Sequence, residues 1–476
     1  MDFATLEKLI RKKLPDYQKI YDDLPVFLQN ILVTSRGYLL SKLRYNKIFW
    51  EMLDEIMMHD HFTEAELINY QNDKLHELIR YAYTNTEYYR KIMDERNLSP
   101  RDIQTIDDLK KLPVLRREDI KKNFDELLLH NAKNNGRIIV YTSGTSGSGL
   151  PIAYNKTDLT KNWAFMFRQF IWAGVKPKEW RITMFGSKIV PEKQNCPPYW
   201  RYNYFEKQIL LSIYHLSETT TKEYLKFFEK HKEIVLEGFA SVLAIVADFL
   251  VQEGISIPMK MVYSTGEPIS AINRFKVEQA FECKLFDCYG MTEWVGLIQE
   301  CEKGAKHLMS DYGILEILDE NNRPVKAGEE GYLIWTGLQK EEMPLIRYKI
   351  GDRGMWHLKN ECECGRPYPL VDATITRDSD IITSPEGTLF SPRVINQYLK
   401  NKVSFQSCQF IQDSPDNVVV RIVPGKGNFK KETQNLVNDL NKLFKESLKL
   451  TIHYTNSPLM RGLGKFPLII NQISNQ

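Results

Sequence analysis

Apolar positions early in the chain recur with a helical period: Leu75, Leu78, Ile79 and Ala82 fall on one face of a helix. Ser99 before Pro100, and Thr105 before Asp107 and Asp108, read as helix starts, and Pro113 ends that run. From about residue 136 the pattern changes. Short β-favouring runs at 137–142, 181–185, 233–239, 260–265, 284–290 and 330–338 alternate with helical stretches, one of them marked by Val242, Ile245, Val246 and Phe249. Strands alternating with helices predict an α/β architecture with parallel sheet. In the last hundred residues two strands, 407–412 and 417–425, are joined through Asp413, Ser414, Pro415 and Asp416, followed by a lysine-rich helix and a further strand at 449–455. The expected organisation is a helical N-terminal extension over 1–70, a large α/β domain over 71–378, and a small mobile α+β domain over 379–476.

Composition narrows the class. The 476 residues carry 64 Lys plus Arg against 61 Asp plus Glu, a net charge of +3 that gives no global drive toward nucleic acid or anionic lipid. No stretch approaches the apolar length of a membrane-spanning helix, and the N-terminus lacks the apolar centre of a secretory signal. Seven cysteines, an odd number, argue for a reducing compartment, and a cytoplasmic protein is expected. Residues 24–45 mix apolar side chains with Arg36, Lys42 and Arg44. That pattern suits a helix on a membrane surface, but an amphipathic helix packed on its own protein is the commoner origin of such a stripe.

Candidate chemistry begins in the segment YTSGTSGSGLP, residues 141–151, with five Ser and Thr hydroxyls and three glycines directly after a predicted strand. Backbone amides and hydroxyls in such a turn can cradle an anion, although it is not a Walker A loop and would by itself more often be a plain turn. Three further turns, STGEP at 264–268, DCYGMTE at 287–293 and RYKIGDRG at 347–354, lie at or near strand ends, where open α/β sheets bind ligands.

Together these segments resemble the adenylate-forming enzymes, a superfamily that includes acyl- and aryl-coenzyme A synthetases. The nearest likeness is to the phenylacetate-coenzyme A ligase branch and its relatives from capsular polysaccharide biosynthesis, over roughly residues 70–470. The resemblance implies a large AMP-binding domain followed by a C-terminal lid. It also implies that Thr142, Ser143, Gly144, Thr145, Ser146 and Gly147 wrap the outer phosphates of ATP. Gly266, Glu267 and Pro268 would approach the adenine, with Tyr289 and Gly290 beside it and Tyr289 stacking on the ring. Thr292 would bond the α-phosphate, Glu293 would hold Mg²⁺, Asp352 would take the ribose hydroxyls, and Arg377 would bind ribose or phosphate. Lys465, in MRGLGKF, would be the lid lysine that reaches the reacting carboxylate. Two departures stand out. Ser148, Gly149, Leu150 and Pro151 replace the usual G-x-P-K continuation, removing a lysine, and Thr376 and Ser379 replace a glycine and an acid of the hinge segment.

Cys301, His307, Cys362 and Cys364 could form a Cys₃His set of the kind that holds a structural Zn²⁺, or be small buried residues. Some members of the phenylacetate-ligase branch carry such a zinc, which favours the metal. Cys196, Cys283, Cys288 and Cys408 read as small apolar residues. Phe239, Ala240, Met261, Gly266, Met291 and Trp294 are candidate walls of an acid pocket, pointing to an aryl or medium acyl acid. The expected reaction is ATP-dependent formation of an acyl-adenylate with release of pyrophosphate. Transfer would follow to coenzyme A, a carrier thiol or an amino sugar, without nucleic-acid partners. The competing expectation is a non-catalytic nucleotide- or acyl-binding scaffold.

Overall fold

The computed structural model describes residues 17–130, 136–142, 149–217, 219–374, 381–386, 388–390, 395, 398–399, 404–425, 427–456 and 467–473. A hairpin of β1 (Ile138–Tyr141) and β2 (Pro151–Tyr154) flanks the Ser/Gly-rich segment. The main sheet is built from β3 (Arg181–Met184), β4 (Trp200–Asn203), β5 (Gln208–Leu211), β6 (Val235–Gly238), β7 (Met261–Thr265), β8 (Leu285–Gly290), β9 (Leu297–Glu300) and β10 (Lys306–Leu308), in the order β10-β9-β8-β7-β6-β3-β5-β4. Its centre, β8-β7-β6-β3-β5, is parallel, and β4, β9 and β10 join its margins through antiparallel pairings.

Alternate residues of the parallel strands face two cores. Val235, Met261 and Phe286 pack with Phe165, Phe167 and Phe170 of one covering helix, while Leu236, Val262 and Leu285 pack with Val242, Val246 and Phe281 on the other side. Burial on both faces explains why these strands read as nearly continuous apolar runs.

Seven helices are used below: α1 (Val26–Arg44), α2 (Lys47–His59), α3 (Glu64–Asn85), α4 (Lys156–Trp172), α5 (Ala240–Gln252), α6 (Ala271–Phe281) and α7 (Phe429–Leu443). α3 opens on a capping box between Thr63 and Glu66, and α4 on one between Asn155 and Asp158. α3 runs through position 70, so the expected division there falls inside a helix. The starts expected at Ser99 and Thr105 open only short 3₁₀ turns, Pro100–Asp102 and Ile106–Lys111. The Asp102 and Asp108 carboxylates fold back onto the Ser99 and Thr105 amides, and the nearby Pro113 leaves no room for longer helices.

A second, antiparallel sheet contains β11 (Gly313–Leu318), β12 (Gly331–Gly337), β13 (Tyr348–Trp356) and β14 (Val371–Thr374). Tyr289, Ile298, Leu333, Trp335 and Tyr348 share a core between it and the main sheet. After the pair β15 (Ile382–Thr383) and β16 (Leu389–Phe390), a four-stranded sheet has the order β19-β18-β17-β20. It comprises β17 (Phe405–Ser414), β18 (Asn417–Pro424), β19 (Lys449–Tyr454) and β20 (Ile469–Asn471). Val418, Val420 and Ile422 pack on Leu436 and Leu440 of α7, and Ile272 of α6 joins this core. Lys276 Nζ bonds the Phe405 carbonyl at 2.8 Å and pairs with Asp248 at 2.8 Å, so α6 contacts the C-terminal sheet by both apolar and polar means.

α1 lies along β4, a margin strand whose free edge would otherwise be open to pairing. The Tyr202 amide donates to Asn30 Oδ1 at 3.0 Å, Thr34 Oγ1 donates to the Tyr202 carbonyl at 3.2 Å, and Arg201 Nε donates to Gln29 Oε1 at 2.6 Å. The packed-helix expectation therefore describes one face of α1. On the other, Phe27, Ile31 and Leu39 are 64%, 55% and 61% exposed. Cys196, expected to be a small apolar residue, is exposed. Among the described residues no helix is long and apolar enough to cross a membrane.

Candidate active site

The parallel strands β6, β7 and β8 end side by side, with Gly238 beside Ser264 and Thr265 beside Cys288. Their carboxyl ends therefore deliver Phe239, Gly266 and the turn after Gly290 to one crevice. Gly266 has φ +80°, and a Cβ there would lie 3.2 Å from the Phe239 ring, so glycine suits both the backbone and the close approach. Glu267 is buried and accepts from the Ser241 amide at 3.0 Å, in the first turn of α5, where the helix dipole favours a carboxylate. Pro268 is exposed at the rim.

Two carboxylates face this end of the fold, each held by a tyrosine. Tyr289, on β8, donates its hydroxyl to Asp352 Oδ2 on β13 at 2.8 Å, and Tyr348, also on β13, donates to Glu293 Oε1 at 3.0 Å. Burial pushes both phenols well above their usual range, with the facing carboxylates adding to the shift, so they remain donors at neutral pH. Thr292 is exposed beside the buried Glu293. Asp352 is a buried strand residue.

The turn from Met291 to Trp294 is braced by residues without a motif of their own. Trp294 holds φ +52°, a left-handed conformation costly for a bulky side chain, and stacks on Tyr154 with ring centroids 3.9 Å apart. Tyr154 donates its hydroxyl to the Thr292 carbonyl. Lys340, 3% exposed, lies 4.8 Å over the Tyr154 ring and donates to the Glu293 carbonyl at 3.3 Å. Burial brings its ammonium down to about 8 against the opposing pull of Asp158, Glu293 and Glu342. Because Tyr154 ends β2, this bracing ties the hairpin flanking the Ser/Gly-rich segment to the Thr292–Glu293 turn. At the mouth of that hairpin Arg117 Nη2 donates to Thr142 Oγ1 at 3.1 Å.

Sequence reasoning missed Tyr154, Lys340, Tyr348 and Arg117. Tyr348 lay within a quoted motif, but Lys340 sits in a charged run that reads as solvated surface, and only its burial distinguishes it. Of the pocket walls expected, Met261 faces the α4 side with Tyr263 and Phe170, away from Phe239, because strand residues alternate. Ser143, Gly144, Thr145, Ser146, Gly147, Arg377 and Lys465 lie outside the described residues.

The second constellation does come together. The ligand atoms of Cys301, His307, Cys362 and Cys364 all lie within 4.8 Å of one another, with Cys301 Sγ 3.7 Å from Cys362 Sγ and Cys364 Sγ 3.3 Å from His307 Nε2. His307 Nδ1 is 2.9 Å from the Tyr368 carbonyl, a contact that fixes the ring and turns Nε2 toward the thiols. Burial pushes the Cys301 thiol up to about 12, so without a cation it stays protonated, whereas a dication would favour the thiolate. A sulfur-rich, four-donor set of this kind fits tetrahedral Zn²⁺. The Tyr368 hydroxyl contacts Arg168 at 2.8 Å and Asp60 at 3.2 Å, and Arg168 grips Asp311 at 2.7 and 3.0 Å, with His59 of α2 against the same carboxylate.

Comparison with known proteins gives this geometry a context. The CapK C-terminal domain family model matches residues 382–472. Protein CapK of Staphylococcus aureus is 28% identical over 417 residues, covering 85% of this chain and 88% of its own. The phenylacetate-coenzyme A ligase of Thermus thermophilus is 23% identical over 347 residues, 69% of this chain and 76% of its own. Among solved structures, 2-hydroxyisobutyryl-CoA ligase in the postadenylation state, in complex with R3-HIB-AMP, matches with a TM-score of 0.68 at 17% identity, over 88% of this chain and 92% of that one. The chain is a homologue of CapK and the phenylacetate-coenzyme A ligases and shares the fold of 2-hydroxyisobutyryl-CoA ligase.

Proposed function

We propose that the protein activates a small carboxylic acid with ATP, forming an acyl-adenylate and pyrophosphate, and then passes the acyl group to coenzyme A or another thiol or amine. The observation that carries this reading is the pair of buried carboxylates, Glu293 and Asp352, each oriented by a tyrosine at the carboxyl end of the parallel sheet. The kinship with phenylacetate-coenzyme A ligases supports it.

In this reading Asp352 accepts the ribose hydroxyls, Tyr289 and the 266–268 turn border the adenine, and Thr292 donates to the α-phosphate. Glu293 would hold Mg²⁺, which takes a protein carboxylate together with phosphate oxygens and neutralises their charge. The acid's carboxylate attacks the α-phosphorus, a bond to phosphorus forms, and the bond to the pyrophosphate oxygen breaks. Two anions meet in this step, so the protein's contribution is positioning and positive charge rather than a base. Lys465, from the C-terminal lid, and Arg377 are assigned to that task, with Arg117 at the mouth of the phosphate loop. Cys301, His307, Cys362 and Cys364 would hold Zn²⁺ as a structural ion with no vacant position. An apolar wall of Phe185 and Phe239, whose rings meet edge to face at 5.2 Å, favours an aryl or medium acyl acid, and the odd cysteine count favours a reducing, cytoplasmic setting.

ATP–pyrophosphate exchange over a panel of aryl, acyl and amino acids tests the reading, with Lys465→Ala as its control. Exchange with one acid class, abolished in Lys465→Ala at unchanged melting temperature, is expected. Measurable ATP binding without exchange on any acid would instead identify a nucleotide-binding scaffold.

A further inference from the structure

The outer face of α1 holds more apolar surface than a solvated helix needs. Of the eighteen exposed large apolar side chains among the described residues, Phe27, Ile31, Tyr38, Leu39, Tyr204 and Phe205 belong to α1 or to the β4–β5 turn beside it. They are neighbours in space as well as sequence: Tyr38 and Phe205 meet edge to face at 4.9 Å, and Thr34 is within hydrogen-bond distance of the Tyr204 amide. The opposite face of α1 is already used against β4, so this one is not an unfinished core contact.

α1 contains Arg36, Lys42 and Arg44 and no acidic residue across its nineteen positions. Arg44 is paired with the buried Glu206, but Lys42 is exposed and lies 4.5 Å over the Tyr38 ring. Lys178 lies 5.6 Å over the Phe205 ring, and Lys207 is exposed in the same turn. The nearest acids before α1, Asp22 and Asp23, precede Pro25 at one end of the helix. Apolar and aromatic side chains with lysines at their edges are what an interfacial helix presents, the rings entering the headgroup boundary and the ammonium groups reaching anionic headgroups.

A second copy of the chain answers this pattern less well. A two-fold contact would set the same patch against itself, lysine facing lysine with no acid in α1 to compensate. A soluble anion would neutralise the lysines but leave Phe27, Ile31 and Leu39 in water.

We infer that the outer face of α1 and the adjoining β4–β5 turn form a docking surface for an anionic lipid bilayer. The inference is independent of the reaction proposed above.

Flotation of the full-length protein with vesicles tests it. Partition onto phosphatidylcholine containing about one third phosphatidylglycerol is expected to exceed that onto phosphatidylcholine alone by about ten- to a hundredfold, as two or three lysines near the surface would give. Phe27→Ser with Ile31→Ser and Leu39→Ser should lower partition about tenfold or more, and Lys42→Glu with Lys207→Glu should erase the preference for anionic vesicles. These positions are exposed, so melting temperature should hold in both variants. Equal partition onto both vesicle types, or undiminished binding by the triple variant, would overturn the inference. So would sedimentation showing a dimer that the triple variant converts to monomer, which would make the face a self-interface.

Discussion

The Cys/His cluster and the Glu293 turn are both polar assemblies buried against the same antiparallel strand, yet they are held in opposite ways. β9 leaves the carboxyl end of β8 just after the Glu293 turn and returns to the amino end, where Cys301 follows it. The run from Leu297 to Cys301 spans four strand steps, about 13 Å. At the Glu293 end the charged groups have protein partners, with Tyr348 on Glu293, Tyr289 on Asp352 and Lys340 on the turn's backbone. At the Cys301 end the donors point at one another, with His307 steered by the Tyr368 carbonyl and Cys362 accepting from the Cys364 amide. On the proposed reading, the first arrangement is complete before a charged substrate arrives, whereas the second would be completed by the ion it holds.

That contrast can be broken by mutation, the largest effect being expected at the cluster. Cys362→Ser with Cys364→Ser should abolish zinc retention on elemental analysis. If the free ion is at about a thousandfold above its dissociation constant, its loss removes roughly 4 kcal/mol, about 4 °C in melting temperature for a chain of this size. Acidification should release the metal from the wild type, because each thiolate takes up a proton as it lets go. Wild-type protein that purifies without zinc and melts at the same temperature as the double variant would show that the thiols merely pack together.

Glu293→Gln tests the other end. It keeps the shape and can still accept from Tyr348, but it removes the charge assigned to Mg²⁺. Exchange should fall by about 100-fold or more, roughly 3 kcal/mol of transition-state stabilisation, with zinc content and melting temperature unchanged. A fall in stability matching the fall in rate would make Glu293 a structural residue and erase the distinction between the two regions.

How much of this was legible in the sequence follows from what each feature depends on. The parallel strands were readable because burial on both faces leaves continuous apolar runs, as in 260–265 and 284–290. The margin strand β4 was not, since Trp200, Arg201, Tyr202 and Asn203 mix polar and aromatic residues and the strand is held between α1 and β5. Glu293 and Asp352 stood in recognisable turns, and the four metal-ligand candidates could be named from residue type. Lys340 and Tyr154 could not be found that way, because their part depends on packing between segments nearly two hundred residues apart. The helix starts at Ser99 and Thr105 carried true capping chemistry, but a cap fixes where a turn begins and not how long it runs.

Arg117 sharpens the nucleotide side of the comparison. The Ser/Gly-rich segment lacks the lysine that its resemblance leads one to expect, so in the proposed reaction positive charge for the departing pyrophosphate would come from elsewhere. Arg117 is at the N-terminus of the helix Arg117–Lys122 with its guanidinium on Thr142, the residue that leads into that segment. A group acting on the outer phosphates should distinguish ATP from AMP, whereas one that merely braces β1 should not. Arg117→Met is expected to weaken ATP binding about 10- to 100-fold by calorimetry, equivalent to one or two charge-assisted hydrogen bonds, while AMP binding changes less than about twofold. Arg117→Lys should restore part of the loss, since a point charge survives without the planar fork. Equal weakening of both nucleotides would assign Arg117 to the hairpin's architecture and leave Lys465 and Arg377 to supply the charge.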